Sequence, residues 1–478
     1  MVHVTEPRST ETGPPRGSTW RGLSFALCGL GALLLTWLAR GSGELDPAQL
    51  HALFILLFAA SLWITGAVPA FSVGILVIGL GIALLGRPDG VFAETASDWE
   101  RYTGVLGHPL IWLFFGGFVL AAGMSRTGLD RYLARRVLVR FGDRPAGLLL
   151  GVVATTFVLS MFLSNTATTA MMLALTAPLV RTLADDDPFE RALLVGIALG
   201  ANVGGMGTLI GSPPNAIAVG ALAEIEPATH VTFLQWMLIG LPPGLVLLAV
   251  GGLLVSRTYR PALETIDTRS ILAGASAPDE TTRTQHVVVA STLAATVGLW
   301  LTGPWHGIPT AAVSLLPTVA FTVTGVLGTR ALRRLPWDVL FLLAGGLALG
   351  QIVTDTGLSG WIVAQLPAEG LGELGLGLIL GYATVLLSNV MSNTATANVL
   401  IPVAVSIPFA SAPKLALSIA LCASAAMALT IATPPNAMVS AEGRVGRSDF
   451  LRLGLVMGIV APPVIVAWVH WVLGPLLF

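Results

Sequence analysis

Two copies of one pentapeptide, Ser-Asn-Thr-Ala-Thr, stand at Ser164–Thr168 and Ser392–Thr396. Each lies inside a long apolar run, "VLSMFLSNTATTAMMLALTAP" and "VLLSNVMSNTATANVLIPVAV". Hydroxyl and carboxamide groups can hold a cation through oxygen or an anion through N–H and O–H. Each copy is followed by a proline pair and an asparagine, Ser212-Pro213-Pro214-Asn215 and Thr433-Pro434-Pro435-Asn436. Proline has no N–H and clashes with the preceding turn. Each pair therefore frees carbonyls just upstream, around Leu209–Gly211 and Thr430–Ala432, and starts a new half-helix. Freed carbonyls are hard oxygen ligands for a small cation, and Gly211 and Ala432 leave that backbone approachable. The half-helix N-termini at Asn215 and Asn436 offer free N–H groups and a positive dipole end to an anion.

The absences are informative too. No Asp, Glu, Lys, Arg or His lies within 145–180 or 192–223, and only Lys414 lies within 374–441. Proton-coupled carriers usually place an ionisable group at membrane depth, so sodium is the expected coupling ion. An anion here would be held without an Arg or Lys clamp, with cations beside it supplying the opposite charge. An enzyme would need a nucleophile with its base, or a metal cluster, and neither is visible. Ser and Thr in membrane helices also serve as interhelical glue, but the joint duplication of tip and break favours ion binding. Asp185-Asp186-Asp187 reads as a surface turn, and Cys28 and Cys422 as buried small side chains without disulfide or metal spacing.

The elements that position these groups follow from composition. The chain has 478 residues, 54% hydrophobic and 11% charged, with a mean hydropathy of +0.81; a soluble protein carries about 25% charged residues. Several apolar runs approach the ~20 residues that cross a bilayer. An all-α polytopic membrane protein is expected. The net charge of −1 is uninformative for partners, because the distribution of charge along the chain matters and not its sum; a small divalent anion, sodium and the lipid bilayer are the expected partners, and no nucleic acid. Two segments, 145–182 and 372–411, are nearly twice a span in length, with the pentapeptide near the middle of each. They are expected to be re-entrant hairpins, since irregular backbone at membrane depth must be buried in protein or line a wet cavity.

With both segments returning to the side they enter from, the arginine clusters 126–144, 257–283, 330–334 and 444–452 all fall on one face, with Arg8 and Arg16. The positive-inside rule makes that face cytoplasmic; Arg40, Arg87, Arg101 and Lys414 fall singly on the other. Eleven spans and two hairpins result, with the N-terminus inside and the C-terminus outside. "LFFGGFVLAAGMSRTGL" (113–129) matches "LLAGGLALGQIVTDTGL" (342–358), and "GSPPNAIA" (211–218) matches "ATPPNAMV" (432–439). The expected organisation is a leader and first span over 1–49, repeats over 50–256 and 283–478, and a cytoplasmic linker over 257–282. An odd number of crossings inverts the second repeat, and inverted repeats with matching broken elements mark a secondary transporter with its site near the midplane.

On the paired Ser-Asn-Thr tips, the Pro-Pro-Asn breaks, the Gly116-Gly117 and Gly345-Gly346 pairs and Trp63…Pro69, the chain resembles the divalent anion/sodium symporter family, solute carrier family 13, across nearly its whole length. The resemblance implies a homodimer, each protomer with a scaffold and an elevator-type transport domain, in a bacterial inner membrane. It implies a first sodium site from Ser160, Ser164, Asn165 and the backbone near Gly211. A second would use Ser388, Asn393 and the backbones of Met391 and Ala432. The anion would lie among Ser164, Asn165, Thr166, Ser392, Asn393 and Thr394, against the breaks at Ser212-Pro213 and Thr433-Pro434. One departure stands out: the family often has an acidic residue after Trp-x-Thr, where this chain has Gly66. The expected function is sodium-coupled symport of C4-dicarboxylates such as succinate, malate or fumarate; a sulfate or other anion carrier, or a sodium-independent exchanger, is the alternative.

Overall fold

A computed structural model of the chain describes residues 18–41, 43–88, 90–183, 187–225, 231–262, 264–267, 280–365, 372–407 and 411–473. Arg8, Arg16, Arg269, Asp185 and Asp186 lie outside the described residues. The described residues are helical throughout, with no strand. In chain order the helices are α1 (Ser18–Arg40), α2 (Pro47–Thr65), α3 (Ala70–Leu80), α4 (Glu100–Gly104), α5 (Pro109–Thr127), α6 (Leu129–Leu138), α7 (Pro145–Ser160), α8 (Asn165–Val180), α9 (Pro188–Gly204), α10 (Pro213–Ile225) and α11 (Phe233–Thr258). The second half continues with α12 (Glu280–Leu301), α13 (Gly303–His306), α14 (Thr310–Val313), α15 (Leu316–Val323), α16 (Thr329–Arg333), α17 (Trp337–Asp355), α18 (Leu358–Ala364), α19 (Glu373–Val390), α20 (Asn393–Ala404), α21 (Ala412–Ala423), α22 (Pro434–Ala441) and α23 (Arg447–Ala467). Pro47, Pro109, Pro145 and Pro188 each open a helix, where the missing N–H has no intrahelical partner to lose.

Among the described residues, eight helices are long and apolar enough to cross a bilayer. The two expected hairpins are the pairs α7/α8 and α19/α20, each interrupted at its pentapeptide; α19 is one of the eight, while α7, α8 and α20 are shorter. Both members of the first pair pack on α9, and both members of the second on α21. Helices α9 and α21 are buried nearly all round, as expected of elements enclosed by protein and not lipid. By contrast α1 leaves most of its apolar surface uncovered. Asp187 is not a surface residue: it is buried and caps α9, accepting from the N–H of Phe189 at 2.9 Å. Cys28 and Cys422 are free and buried.

The two halves exchange their pieces. Half-helix α10, after the first proline pair, packs on α20 and α21 of the second half. Half-helix α22, after the second pair, packs on α8 and α9 of the first. The glycine pairs serve the same crossing. A Cβ on Gly116 would meet Ser314 O at 2.2 Å, and one on Gly345 would meet Gly74 Cα at 2.1 Å, so each brings its helix against the opposite half. Their neighbours face the breaks and tips: Gly117 packs on Ile210, and Gly346 on the carboxamide of Asn398.

Candidate functional site

At the first tip α7 ends at Ser160 and α8 begins at Asn165. The Ser160 hydroxyl is fully buried and lies 2.8 Å from both Asn165 Oδ1 and Ala201 O. Three oxygens thus converge with a single hydroxyl proton among them, an oxygen-rich and proton-poor cluster that suits a small hard cation. Gly205 completes the cradle: a Cβ there would meet Asn165 Oδ1 at 3.1 Å and Gly211 O at 3.2 Å. The structure therefore brings Ser160, Asn165 and the Gly211 backbone together and adds Ala201 O. It treats Ser164 differently, as the N-cap of α8, whose Oγ accepts the N–H of Ala167 at 3.2 Å. Thr166 is exposed on the first turn.

The second tip repeats the plan with other partners. Ser392 caps α20 and accepts the N–H of Ala395 at 3.1 Å. Ser388 Oγ and Asn393 Oδ1 are both buried without a hydrogen-bond partner among the described residues. A buried unpaired acceptor costs about 1–3 kcal/mol, so two such oxygens at the symmetry-related positions fit a cation that neither can replace alone. Met391, Ser392, Ala432, Thr433 and Pro434 line a cavity of about 550 Å³ that also reaches Trp63 and Thr65. Thr394 is 8% exposed, in contrast to Thr166. Gly66 ends α2 in the left-handed region at φ 61°, where glycine alone escapes the Cβ penalty. That is a backbone reason for glycine where the family often has an acid.

The breaks are held by the asparagines after the proline pairs. Asn215 Nδ2 donates to Gly205 O and Thr208 O, each at 2.8 Å. Asn436 Nδ2 donates to Met427 O at 3.0 Å and Leu429 O at 2.9 Å. Both side chains turn into the break, so at these positions only backbone and helix end remain for an anion. Thr433 caps α22, with Oγ1 accepting from the Asn436 N–H at 3.3 Å. Ser212 is buried beside Pro213 at the head of α10. Lys414 lies away from both tips, paired with Glu373 at 3.1 Å.

Three contributors escape a reading by spacing. Asn202 Nδ2 donates to Asn436 Oδ1 at 3.0 Å, tying the residue after Ala201 to the other break. Asn389 Oδ1 accepts the Ala428 N–H at 2.8 Å, fixing the second hairpin to its break. Thr208 Oγ1 does the equivalent work in the first half by donating to Met161 O. Asn202 lies on α9, Asn389 near the end of α19 and Thr208 between α9 and α10, and no repeated residue type marks any of the three. No group of acidic, His or Cys side chains suited to a metal site occurs among the described residues.

A helical membrane fold with two broken, exchanged halves around uncharged tips defines a transporter. The citrate transporter family matches residues 54–412, and the chain belongs to that family. The chain is 29% identical, over 94% of its length and 91% of the relative's, to the sodium-dependent dicarboxylate transporter SdcS of Staphylococcus saprophyticus. It is 27% identical to the protein of the same name from Staphylococcus aureus strain RF122, covering 92% of this chain and 89% of that one. Among solved structures, the YdaH transporter of Alcanivorax borkumensis shares the fold at a TM-score of 0.58 and 15% identity, over 87% of this chain and 98% of that one. The resemblance to the divalent anion/sodium symporters therefore holds. The protein is an integral membrane transporter and not an enzyme.

Proposed function

We propose that this chain is a sodium-coupled symporter of C4-dicarboxylates such as succinate, malate or fumarate. The observation that carries the reading is the first-tip cluster of Ser160 Oγ, Asn165 Oδ1 and Ala201 O with one proton among them, mirrored by the unpaired Ser388 Oγ and Asn393 Oδ1. Two cations in these cradles would supply the charge that an anion between the tips needs. The anion would then meet Asn165, Thr166, Asn393, Thr394, the hydroxyls of Ser164 and Ser392, and the helix ends at Ser212-Pro213 and Thr433-Pro434. The names of the Staphylococcus relatives support both sodium and dicarboxylate.

In this reading the repeats span 50–256 and 283–478, with 1–49 before them and the linker 257–282 between. Their pentapeptide hairpins ride as an elevator in each protomer of a homodimer in a bacterial inner membrane. The N-terminus lies inside and the C-terminus outside. Cysteines introduced at Thr182 and Ala412 are expected to react with impermeant reagents from opposite sides; reaction of both from the same side would overturn the topology and the inversion with it.

Uptake of labelled succinate, citrate and sulfate into proteoliposomes, with and without a sodium gradient, tests the function. The same assay reads the cation sites. Ser160→Ala and Ser388→Ala each delete one oxygen and are expected to raise the sodium needed for half-maximal uptake. High sodium should restore part of the lost anion affinity, because linkage ties each ion's affinity to the other's. Uptake that ignores sodium but follows a pH gradient or counter-anion would replace symport by exchange.

A further inference from the structure

The geometry points to an anion vestibule beside the first tip, formed by Arg126, Arg330 and Arg334. These arginines come from two places in the chain, the end of α5 and the segment of α16 just before α17. They line one cavity of about 640 Å³, and Ser164 and Ala167 of the first tip line the same cavity. No carboxylate is among its lining residues. None of the three guanidinium groups makes an ion pair or side-chain hydrogen bond with a described residue. The acid nearest Arg126 in sequence, Asp130, is 3% exposed and turned to Ser125 Oγ, at 3.1 Å, and to the backbone N–H of Arg131; the acid nearest Arg334, Asp338, does not line the cavity.

Three unpaired cations around one cavity create a local field for anions, and concave low-dielectric walls focus it. The start of the sixteen-residue helix α8 lines the same cavity. Its Ser164 hydroxyl is capped as an acceptor only, so its proton can be donated to an incoming ligand. Positive-inside placement accounts for arginine on this face, but not for three of them sharing one cavity with the tip. We assign to this cavity the gathering of a divalent carboxylate on the arginine-rich side of the membrane, where it waits beside the tip before entering or after leaving. This rests on the symport reading and adds a second anion position to it, one that holds by charge where the tip holds by neutral groups.

The test is transport of labelled succinate measured separately from each side in oriented proteoliposomes. Neutralising all three arginines (R126Q, R330Q, R334Q) is expected to raise the half-saturating succinate concentration about tenfold on the arginine-rich side at low ionic strength. The opposite side should be unchanged. The difference should shrink as salt rises, since the screening length falls from about 30 Å at 0.01 M to about 8 Å at 0.15 M. Lysine at all three positions should restore most of the loss. Equal half-saturation in the Gln variant and the unmodified protein at low salt overturns the vestibule.

Thr182→Cys labelling in the same background reports insertion. Should the triple variant insert wrongly, Arg126→Gln alone, beside Arg131 and Arg135, decides the matter by a smaller shift of the same sign. An unmodified protein without sodium-driven uptake refutes the symport reading and not the vestibule. The vestibule is then read from succinate binding to purified protein: weaker binding in the Gln variant supports it, and unchanged binding overturns it.

Discussion

Sodium-driven succinate uptake is expected to fall to background in Asn165→Ala and, separately, in Asn393→Ala. Asn165 Oδ1 is the junction of the first cradle, 2.8 Å from Ser160 Oγ and next to the Gly205 and Gly211 backbone. Asn393 Oδ1 is its buried, unpartnered counterpart. Loss of one polar partner at a buried site costs about 1–3 kcal/mol, which is roughly 5- to 150-fold in affinity. Each carboxamide offers oxygen to a cation and N–H to an anion, so one truncation weakens both ions and the losses compound through linkage. Asn165→Asp separates the roles: the cation keeps its oxygen, and the anion meets a negative charge. Sodium binding should survive in that variant while succinate binding is lost. Near-normal uptake by either alanine variant would make the tip a packing device.

The second large effect is expected at the breaks. Asn436 is fully buried and its carboxamide makes three hydrogen bonds, to Met427 O, to Leu429 O and from Asn202 Nδ2. Asn436→Ala orphans Met427 O and Asn202 Nδ2, at about 1–3 kcal/mol each where water cannot reach them, while Leu429 O keeps the Ala432 N–H at 3.2 Å. Asn215→Ala orphans Gly205 O and takes one of two donors from Thr208 O, which keeps the Gly211 N–H at 3.2 Å. Both variants should melt at lower temperature than the unmodified protein, Asn436→Ala the more so. Both should lose the stabilisation that sodium confers by binding the folded state, because the carbonyls nearest each cradle are no longer aimed. Asn202→Ala removes a single donor and should be milder. An Asn436→Ala protein with unchanged melting and full sodium stabilisation would show that the break holds its shape without the carboxamide.

The chain announces much of this arrangement. Polar pentapeptides inside apolar runs mark the tips, and the proline pairs mark where helices stop: α8 starts at Asn165, α10 at Pro213, α20 at Asn393 and α22 at Pro434. Ser164 and Ser392 are legible as N-caps as well as candidate ligands, since serine before a helix is a capping signal, and both cap their helices. The exchange of α10 and α22 between halves was not legible, because spacing along a chain carries no record of which distant helix will cover a half-helix. The Asn202–Asn436 bond is hidden for the same reason. Asn389 and Thr208 hold their breaks through opposite hydrogen-bond roles, so the repeat conserves the tie in space but not in sequence. Gly345 and Gly346 were visible as a repeated pair, but the closeness of Gly74 and Asn398 that demands them is tertiary.

The central claim is that uncharged tips bind a divalent anion because sodium lies beside it. Succinate binding to the purified protein, followed as sodium is exchanged for choline at constant ionic strength and at several pH values, tests that claim most directly. The account predicts succinate affinity that rises steeply with sodium and barely moves with pH. Affinity that is the same in choline as in sodium would contradict it.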